Sequence, residues 1–310
     1  MVQFRPAIGD ESQFLEQLFD HGLLLRTGAP GVYGRGALFE DVRERVDALV
    51  TRVAAPDAAE SLRFPPLLAR RHLEATGYLE SFPHLAGTIF AFDGSEGDAA
   101  EQARRAAEHE DWSPYQTMTD LVLVPAACYP VYPAIAARGP LPDGGTTIDA
   151  GGAYVFRREP SGDPARLQMF HQREMVRIGE PRAVAAWRDA WRDRAVEVMH
   201  RVGLDAELDV ASDPFFGRQG RLLAASQRAQ ELKFELRIAI ASPEPTAVAS
   251  FNYHQDHFAQ SFGIALADGA IAHTACLGFG LERITLGLLR THGLDPQRWS
   301  PAVRDELWGQ

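Results

Sequence analysis

Side chains able to do chemistry cluster between Ala153 and Ile178, AYVFRREPSGDPARLQMFHQREMVRI. Two extended runs flank a turn, and both carry charge where a strand is normally apolar. In the first run Tyr154, Phe156 and Arg158 fall on one face and Val155, Arg157 and Glu159 on the other, because side chains alternate along a strand. Pro160-Ser161-Gly162-Asp163-Pro164 is turn chemistry through which neither strand can continue. In the second run Arg166, Gln168, Phe170, Gln172 and Glu174 share a face. Arg166, Phe170 and Glu174 then follow one another at about 14 Å, from roughly 3.4 Å per residue. A guanidinium pairs bidentately with phosphate oxygens, an aromatic face takes a purine, and a carboxylate suits an amine. Such a strand could grip a nucleotide and an amino substrate; the plain alternative is a solvated antiparallel face.

Those side chains need elements to carry them. Leu38–Val53 has a helical stripe of Leu38, Val42, Val46, Leu49, Val50 and Val53. Ser61–Leu68 then reads as a short strand stopped by proline. Ala99–His109 is an alanine-rich surface helix. Leu121–Ala127 is a buried strand ending at Cys128, and Gly139–Gly152 is a loop before the charged hairpin. Pro181 starts a helix with an inner stripe from Val184 through Trp187 and Trp191 to Val202, and Gly203 is placed to cap it. Leu232–Ile240 alternates, with Lys233, Glu235 and Arg237 facing away from the apolar side, where they extend the charged face of the hairpin. Cys276-Leu277-Gly278-Phe279-Gly280-Leu281-Glu282-Arg283 opens an apolar helix, its glycines allowing close backbone approach.

With 310 residues and 45% apolar content, the chain can bury one large core or two modest ones. A net charge of −11 argues against nucleic acid as a general partner, since displacing its counterions needs a basic surface. No stretch approaches the length of a membrane span, and MVQFRPAIGDESQF is too polar for a signal peptide. A cytoplasmic location follows as the expectation, with no disulfide between Cys128 and Cys276. Lys233 is the single lysine among arginines, a compact charge where a planar fork was not used. Pro214–Gln230 holds Arg218, Arg221 and Arg228 and no acid. That helix could receive an acidic partner or a phosphate-bearing arm, or be an ordinary solvated helix.

Phe156-Arg157-Arg158-Glu159, the connector and Arg166-x-x-x-Phe170 resemble motif 2 of the class II aminoacyl-tRNA synthetases. Phe170-His171-Gln172 through Glu174 looks most like the seryl branch. The resemblance implies that Arg157 holds the α-phosphate, Glu159 the adenine edge and Arg166 the β/γ-phosphates, while Phe170 stacks on the base. Leu38–Val53 with its following strand and proline resembles motif 1, the dimerisation element. Gly278-x-Gly280-x-x-Arg283 resembles motif 3, whose arginine holds the γ-phosphate. In seryl enzymes the segments matching Cys128 and Ser250-Phe251-Asn252 contact the amino acid, which makes Ser250 and Asn252 candidate substrate contacts. Lys233 and Glu235 would line the same cavity.

Cys128, Glu174 and Cys276 each fall at the substrate end of one of these elements. Two thiolates and a carboxylate suit Zn²⁺, with a fourth position open to an amine or water; two inert buried cysteines are the alternative. His254 and His257 are further possible ligands. Methanogen-type seryl synthetases share such a zinc. A class II core with that triad, and without a tRNA-binding arm, resembles the amino acid:[carrier protein] ligases over roughly residues 35–295.

That resemblance implies an α+β fold on a six- to eight-stranded antiparallel sheet flanked by helices. It also implies a single catalytic domain over 1–310, with an N-terminal helical dimerisation part at about 1–60, a carrier-docking helix at about 214–231, and a homodimer. The implied reaction is ATP- and Mg²⁺-dependent adenylation of glycine or alanine, then transfer to the phosphopantetheine thiol of a carrier protein, with one Zn²⁺ per chain. A truncated seryl-type synthetase and a non-catalytic regulator that binds an amino acid or adenylate are the other two readings. Arg157, Arg166 and Arg283 together favour an enzyme over the regulator.

Overall fold

Strand pairing, more than any single helix, decides where the charged side chains end up. The computed structural model describes residues 10–309 apart from Pro160 and Pro243. Pro160 of the connector and the first nine residues, part of the segment read as too polar for a signal peptide, lie outside the described residues. In chain order, α1 (Asp10–Asp20) leads into a hairpin of β1 (Leu24–Ala29) and β2 (Val32–Arg35), then α2 (Ala37–Ala54). Next come β3 (Glu60–Ser61), β4 (Leu67–Ala69), α3 (Arg70–Ala75), α4 (Tyr78–Ser81) and β5 (Thr88–Phe92). They are followed by α5 (Glu96–Ala107), β6 (Gln116–Leu123) and α6 (Val131–Ala136). Strands β7 (Thr146–Phe156) and β8 (Met169–Gly179) precede α7 (Pro181–Arg201), β9 (Glu207–Val210) and α8 (Gly217–Ala229). The chain closes with β10 (Lys233–Ile238), β11 (Thr246–Gln255), α9 (His257–Phe262), β12 (His273–Gly280), α10 (Leu281–His292) and α11 (Pro301–Trp308).

The main sheet has seven strands in the order β3-β7-β8-β12-β11-β10-β9, antiparallel except for the parallel β3–β7 edge. This is the α+β, mainly antiparallel architecture expected. A separate three-stranded sheet runs β4-β6-β5. Register across the main sheet sets Lys233 opposite Asn252, Asn252 opposite Cys276, and Gly278 opposite Glu174. Because alternate residues share a face, these polar groups occupy one side together. Their neighbours Met175, Phe234, Phe251, Leu277 and Phe279 point to the other side and form the larger core with Trp191, Val198 and Leu286.

Helix α2 buries Val42, Val46, Leu49 and Val50 as the stripe predicts, whereas Leu38 at its start is exposed. Helix α7 begins at Pro181, and the Glu180 carboxylate caps it by accepting from Ala183 N at 3.0 Å. Trp191 is fully buried and Trp187 partly so; both indole N–H groups donate to Asp57.

Several boundaries differ from those read in the sequence. The second charged run is a strand only from Met169, so Arg166 does not continue the face of Phe170 and Glu174. Arg166 N donates to Asp163 O at 3.0 Å in a turn, and Gln168 N to Gly31 O at 2.7 Å, which draws this segment onto the β1–β2 hairpin. Gly139–Gly152 is not all loop: β7 starts at Thr146, and its register shifts between Ala150 and Ala153. Gly152, at φ 72°, supplies the left-handed residue of that bulge. Leu121–Ala127 leaves the sheet at Leu123, ahead of Pro125, so Cys128 sits on a turn leading to α6. Ser61–Leu68 is split at Pro65-Pro66 into β3 and β4, in different sheets. The N-terminal part expected to be helical also contains the β1–β2 hairpin.

Candidate active site

Three guanidinium groups meet at the connector end of the β7–β8 hairpin. Arg157 follows β7, its backbone N donating to Gln168 O at 2.9 Å, and its guanidinium has no ion-pair or hydrogen-bond partner among the described residues. Arg166 pairs with Glu159 at 2.8 Å. Arg283, in the first turn of α10, donates to Ala165 O at 2.7 Å and Ala247 O at 2.9 Å, with its guanidinium carbon 5.9 Å from the Phe170 ring centroid. Burial, then the charges of Arg157 and Arg166, bring the Arg283 pKa down to about 10. Like charges crowded this way favour an anion between them.

Helix α10 is held against the hairpin by Glu282. Its buried carboxylate accepts from His171 N at 2.9 Å, from His171 Nδ1 at 2.8 Å and from Arg35 Nη1 at 2.9 Å. Arg35 also donates to Glu40 on α2 and to Tyr154 on β7. The sequence reading missed this hub, although Glu282 stands next to Arg283.

Cys128, Glu174 and Cys276 come together from a turn and two adjacent strands, their candidate ligand atoms all within 4.8 Å of one another. All three are buried and both thiols are free. Glu174 accepts from the backbone N of Cys128 and lies 3.7 Å from Cys276 Sγ. Burial pushes the Glu174 carboxyl up and the Cys128 thiol well up. The hydrogen bond with Cys128 lowers Cys276, but burial and the Glu174 charge outweigh it and raise that thiol. A Cβ at Gly278 would fall 2.8 Å from Gln172 Nε2 and 3.0 Å from Glu174 Oε1, so glycine keeps this cradle open. A buried cluster of three groups that all lose protons on coordination fits a dication, and two sulfurs with one oxygen fit Zn²⁺.

Asn252, a predicted substrate contact, turns its amide toward Cys276 Sγ at 3.5 Å and Ser250 Oγ at 3.4 Å. Of the two histidines, His254 places Nε2 3.6 Å from Cys276 Sγ, while His257 bonds Thr76 O at 3.1 Å. Lys233 is buried and ion-paired with Asp213 at 2.6 Å and Glu235 at 3.1 Å, and Glu235 also pairs with Arg237 at 2.9 Å. Asp213 went unrecognised in the sequence; a lone buried lysine needing a carboxylate was the signal that could have found it. Gln227 of α8 donates to Asp213 Oδ2 at 2.8 Å and accepts from Asp213 N at 2.7 Å. Helix α8 is shorter than expected and exposes Arg218, Arg221, Arg228, Leu222 and Leu223, with Phe216 exposed just before it.

A main sheet with this hairpin and arginine-bearing helix is the class II aminoacyl-tRNA synthetase fold. The chain superposes on the M. kandleri seryl-tRNA synthetase solved with A. aeolicus tRNASec at a TM-score of 0.81 and 21% identity, covering 99% of this chain and 62% of that one. The Pyrococcus horikoshii seryl-tRNA synthetase solved with ATP matches at a TM-score of 0.66 and 14% identity, covering 94% and 60%. No family model matches the chain. Amino acid–[acyl-carrier-protein] ligase 2 of Bradyrhizobium diazoefficiens is 47% identical over 294 residues, 94% of this chain and 87% of that protein. Ligase 1 of the same organism is 46% identical over 303 residues, 97% and 91%. The chain belongs to the amino acid–[acyl-carrier-protein] ligase family and is a ligase.

Proposed function

We propose that this ligase activates glycine or alanine with ATP and passes the aminoacyl group to the phosphopantetheine thiol of a carrier protein. The observation that carries the reading is the convergence of Arg157, Arg166 and Arg283 beside the buried Cys128, Glu174 and Cys276. Phe170 stacks on adenine, Glu159 reads its edge, and Arg166 and Arg283 hold the β- and γ-phosphates with the Mg²⁺ that accompanies ATP. Zn²⁺ held by Cys128, Glu174 and Cys276 would supply a positive charge that selects a neutral substrate amine. A carboxylate oxygen of the amino acid attacks the α-phosphorus, the bond to the bridging oxygen breaks, and pyrophosphate leaves. Arg157 donates to the α-phosphate oxygens as charge builds on them. The carrier thiolate then attacks the carbonyl carbon of the adenylate, forming a thioester and releasing AMP. Lys233, Glu235, Ser250 and Asn252 line the substrate side. Carrier protein docks on α8 through Arg218, Arg221 and Arg228, and the protein works as a homodimer built on α2.

Offering a phosphopantetheinylated carrier protein and tRNA side by side, with ATP and either amino acid, tests the acceptor. A hydroxylamine-labile thioester on the carrier alone is expected. Esterified tRNA, or neither acceptor charged while pyrophosphate exchange proceeds, would contradict it.

A further inference from the structure

His254 stands beside the Cys128, Glu174 and Cys276 cluster without belonging to it. Strand β11 shifts register between Tyr253 and Gln255, and Gln255 takes a left-handed φ of 54°. His254 lies inside that irregularity, on the face already occupied by Asn252. Its Nε2 is 3.6 Å from Cys276 Sγ, and its Nδ1 is 3.2 Å from Thr274 Oγ1, two residues from the cysteine on the same strand. Thr274 is fully buried, and the His254 ring is fixed edge-on against Phe258 at 4.8 Å between centroids. His254 therefore has little rotational freedom. It is also set to the outer side of Cys276, because it does not join the group whose ligand atoms lie within 4.8 Å of one another.

A thiolate facing Nε2 favours the imidazole proton on that nitrogen, and the Thr274 hydroxyl, able to donate or accept, then donates to Nδ1. With Asn252 Nδ2 at 3.5 Å, Cys276 then faces two N–H donors. Thiolate ligands are oriented and tuned by such outer hydrogen bonds. We propose that His254 is a positioning residue of the metal centre, donating from Nε2 to the Cys276 thiolate while Thr274 Oγ1 holds Nδ1. The proposal rests on the reading of Cys128, Glu174 and Cys276 as a zinc site.

The test uses the full chain and two readouts that need no turnover: Zn²⁺ affinity by chelator competition, and the sulfur-to-metal charge-transfer band of the Co²⁺-loaded protein. His254→Ala is expected to weaken Zn²⁺ binding about ten- to hundred-fold and to move the band to lower energy, since the thiolate loses a donor. His254→Gln, which carries an amide nitrogen near the Nε2 position, should restore most of both, and it covers the case in which the alanine variant folds poorly. Thr274→Val should shift both readouts in the same direction by less, and add nothing when His254 is already alanine. Wild-type affinity and an unmoved band in a folded His254→Ala variant would overturn the proposal while leaving the zinc site standing. So would a Co²⁺ spectrum showing that the variant has lost an inner ligand. A wild-type protein that takes up no metal would overturn the zinc reading and the proposal together.

Discussion

Arg157 differs from the other two arginines in that its guanidinium has no ion-pair or hydrogen-bond partner among the described residues. Arg166 already has Glu159, and Arg283 is tied to two backbone carbonyls. Arg157→Ala should therefore lower the rate of amino-acid-dependent pyrophosphate exchange about 100- to 1000-fold, the range seen on removing a transition-state donor. Arg157→Lys should recover little of it, since a point charge cannot replace a fork; steady-state exchange kinetics decide both. Phe170→Leu should raise the KM for ATP about five-fold in the same assay, from loss of roughly 1 kcal/mol of stacking. These residues stood out in the sequence because the two runs flanking the connector carry charge and an aromatic ring where a strand is normally apolar. Their neighbours did not: His171, Arg35 and Glu282 meet through tertiary packing of three distant segments, and no local period announces it.

Helix α8 and strand β10 are joined by a chain of polar contacts from Gln227 through Asp213 to Lys233. The proposed docking element is thus bonded to the substrate side of the site. Reversing charge at Arg218 and Arg221 should raise the KM for carrier protein at least about ten-fold, following the electrostatics of docking surfaces, while exchange, which needs no carrier, still proceeds. The ion pair also sets a pH dependence of stability. Against its burial, the charge of Lys233 holds Asp213 below its ordinary 3.8, and against its own burial, the charge of Asp213 holds Lys233 above its ordinary 10.5. A lowered carboxylate stabilises fully above its unfolded pKa, and that contribution is lost as pH falls through the folded value. A raised ammonium stabilises below its unfolded pKa and loses its contribution as pH rises through the folded value. The contribution is therefore level between about pH 4 and pH 10 and declines outside that window. Asp213→Asn should cost about 2 kcal/mol in urea unfolding at neutral pH. A fully buried pair would cost more, but Asp213 is 33% exposed and Glu235 remains. At this scale the sequence located α2, α5, α7, α8, α10 and the strands of the charged hairpin, because apolar periodicity is a local signal, and it passed over α1, α3, α4 and the β1–β2 hairpin. It misplaced the ends where backbone partners come from far away, as at Gln168, Thr146 and Leu123.

Across the whole molecule, one sheet separates two chemistries. Its apolar face rests on α2, α7 and α10, and its polar face carries the sulfur and carboxylate cluster and the Lys233 network in register, while Arg157 and Arg166 of the connector and Arg283 of α10 gather at its edge. Glu282 and Arg173 tie the β7–β8 hairpin to α10 and α2; Arg173 reaches from β8 to Asp149 at 2.6 Å and Asp47 at 2.7 Å. None of the helices among the described residues is long and apolar enough to cross a membrane. Nucleotide and amino acid would then lie end to end along the polar face, with the carrier approaching from α8. The most direct measurement is exchange of labelled pyrophosphate into ATP by the purified protein, run across single amino acids, with and without a zinc chelator. Exchange supported by glycine or alanine and abolished by the chelator, then restored by Zn²⁺, is the predicted result. Exchange that prefers serine or a larger amino acid, or that is indifferent to the chelator, would contradict it.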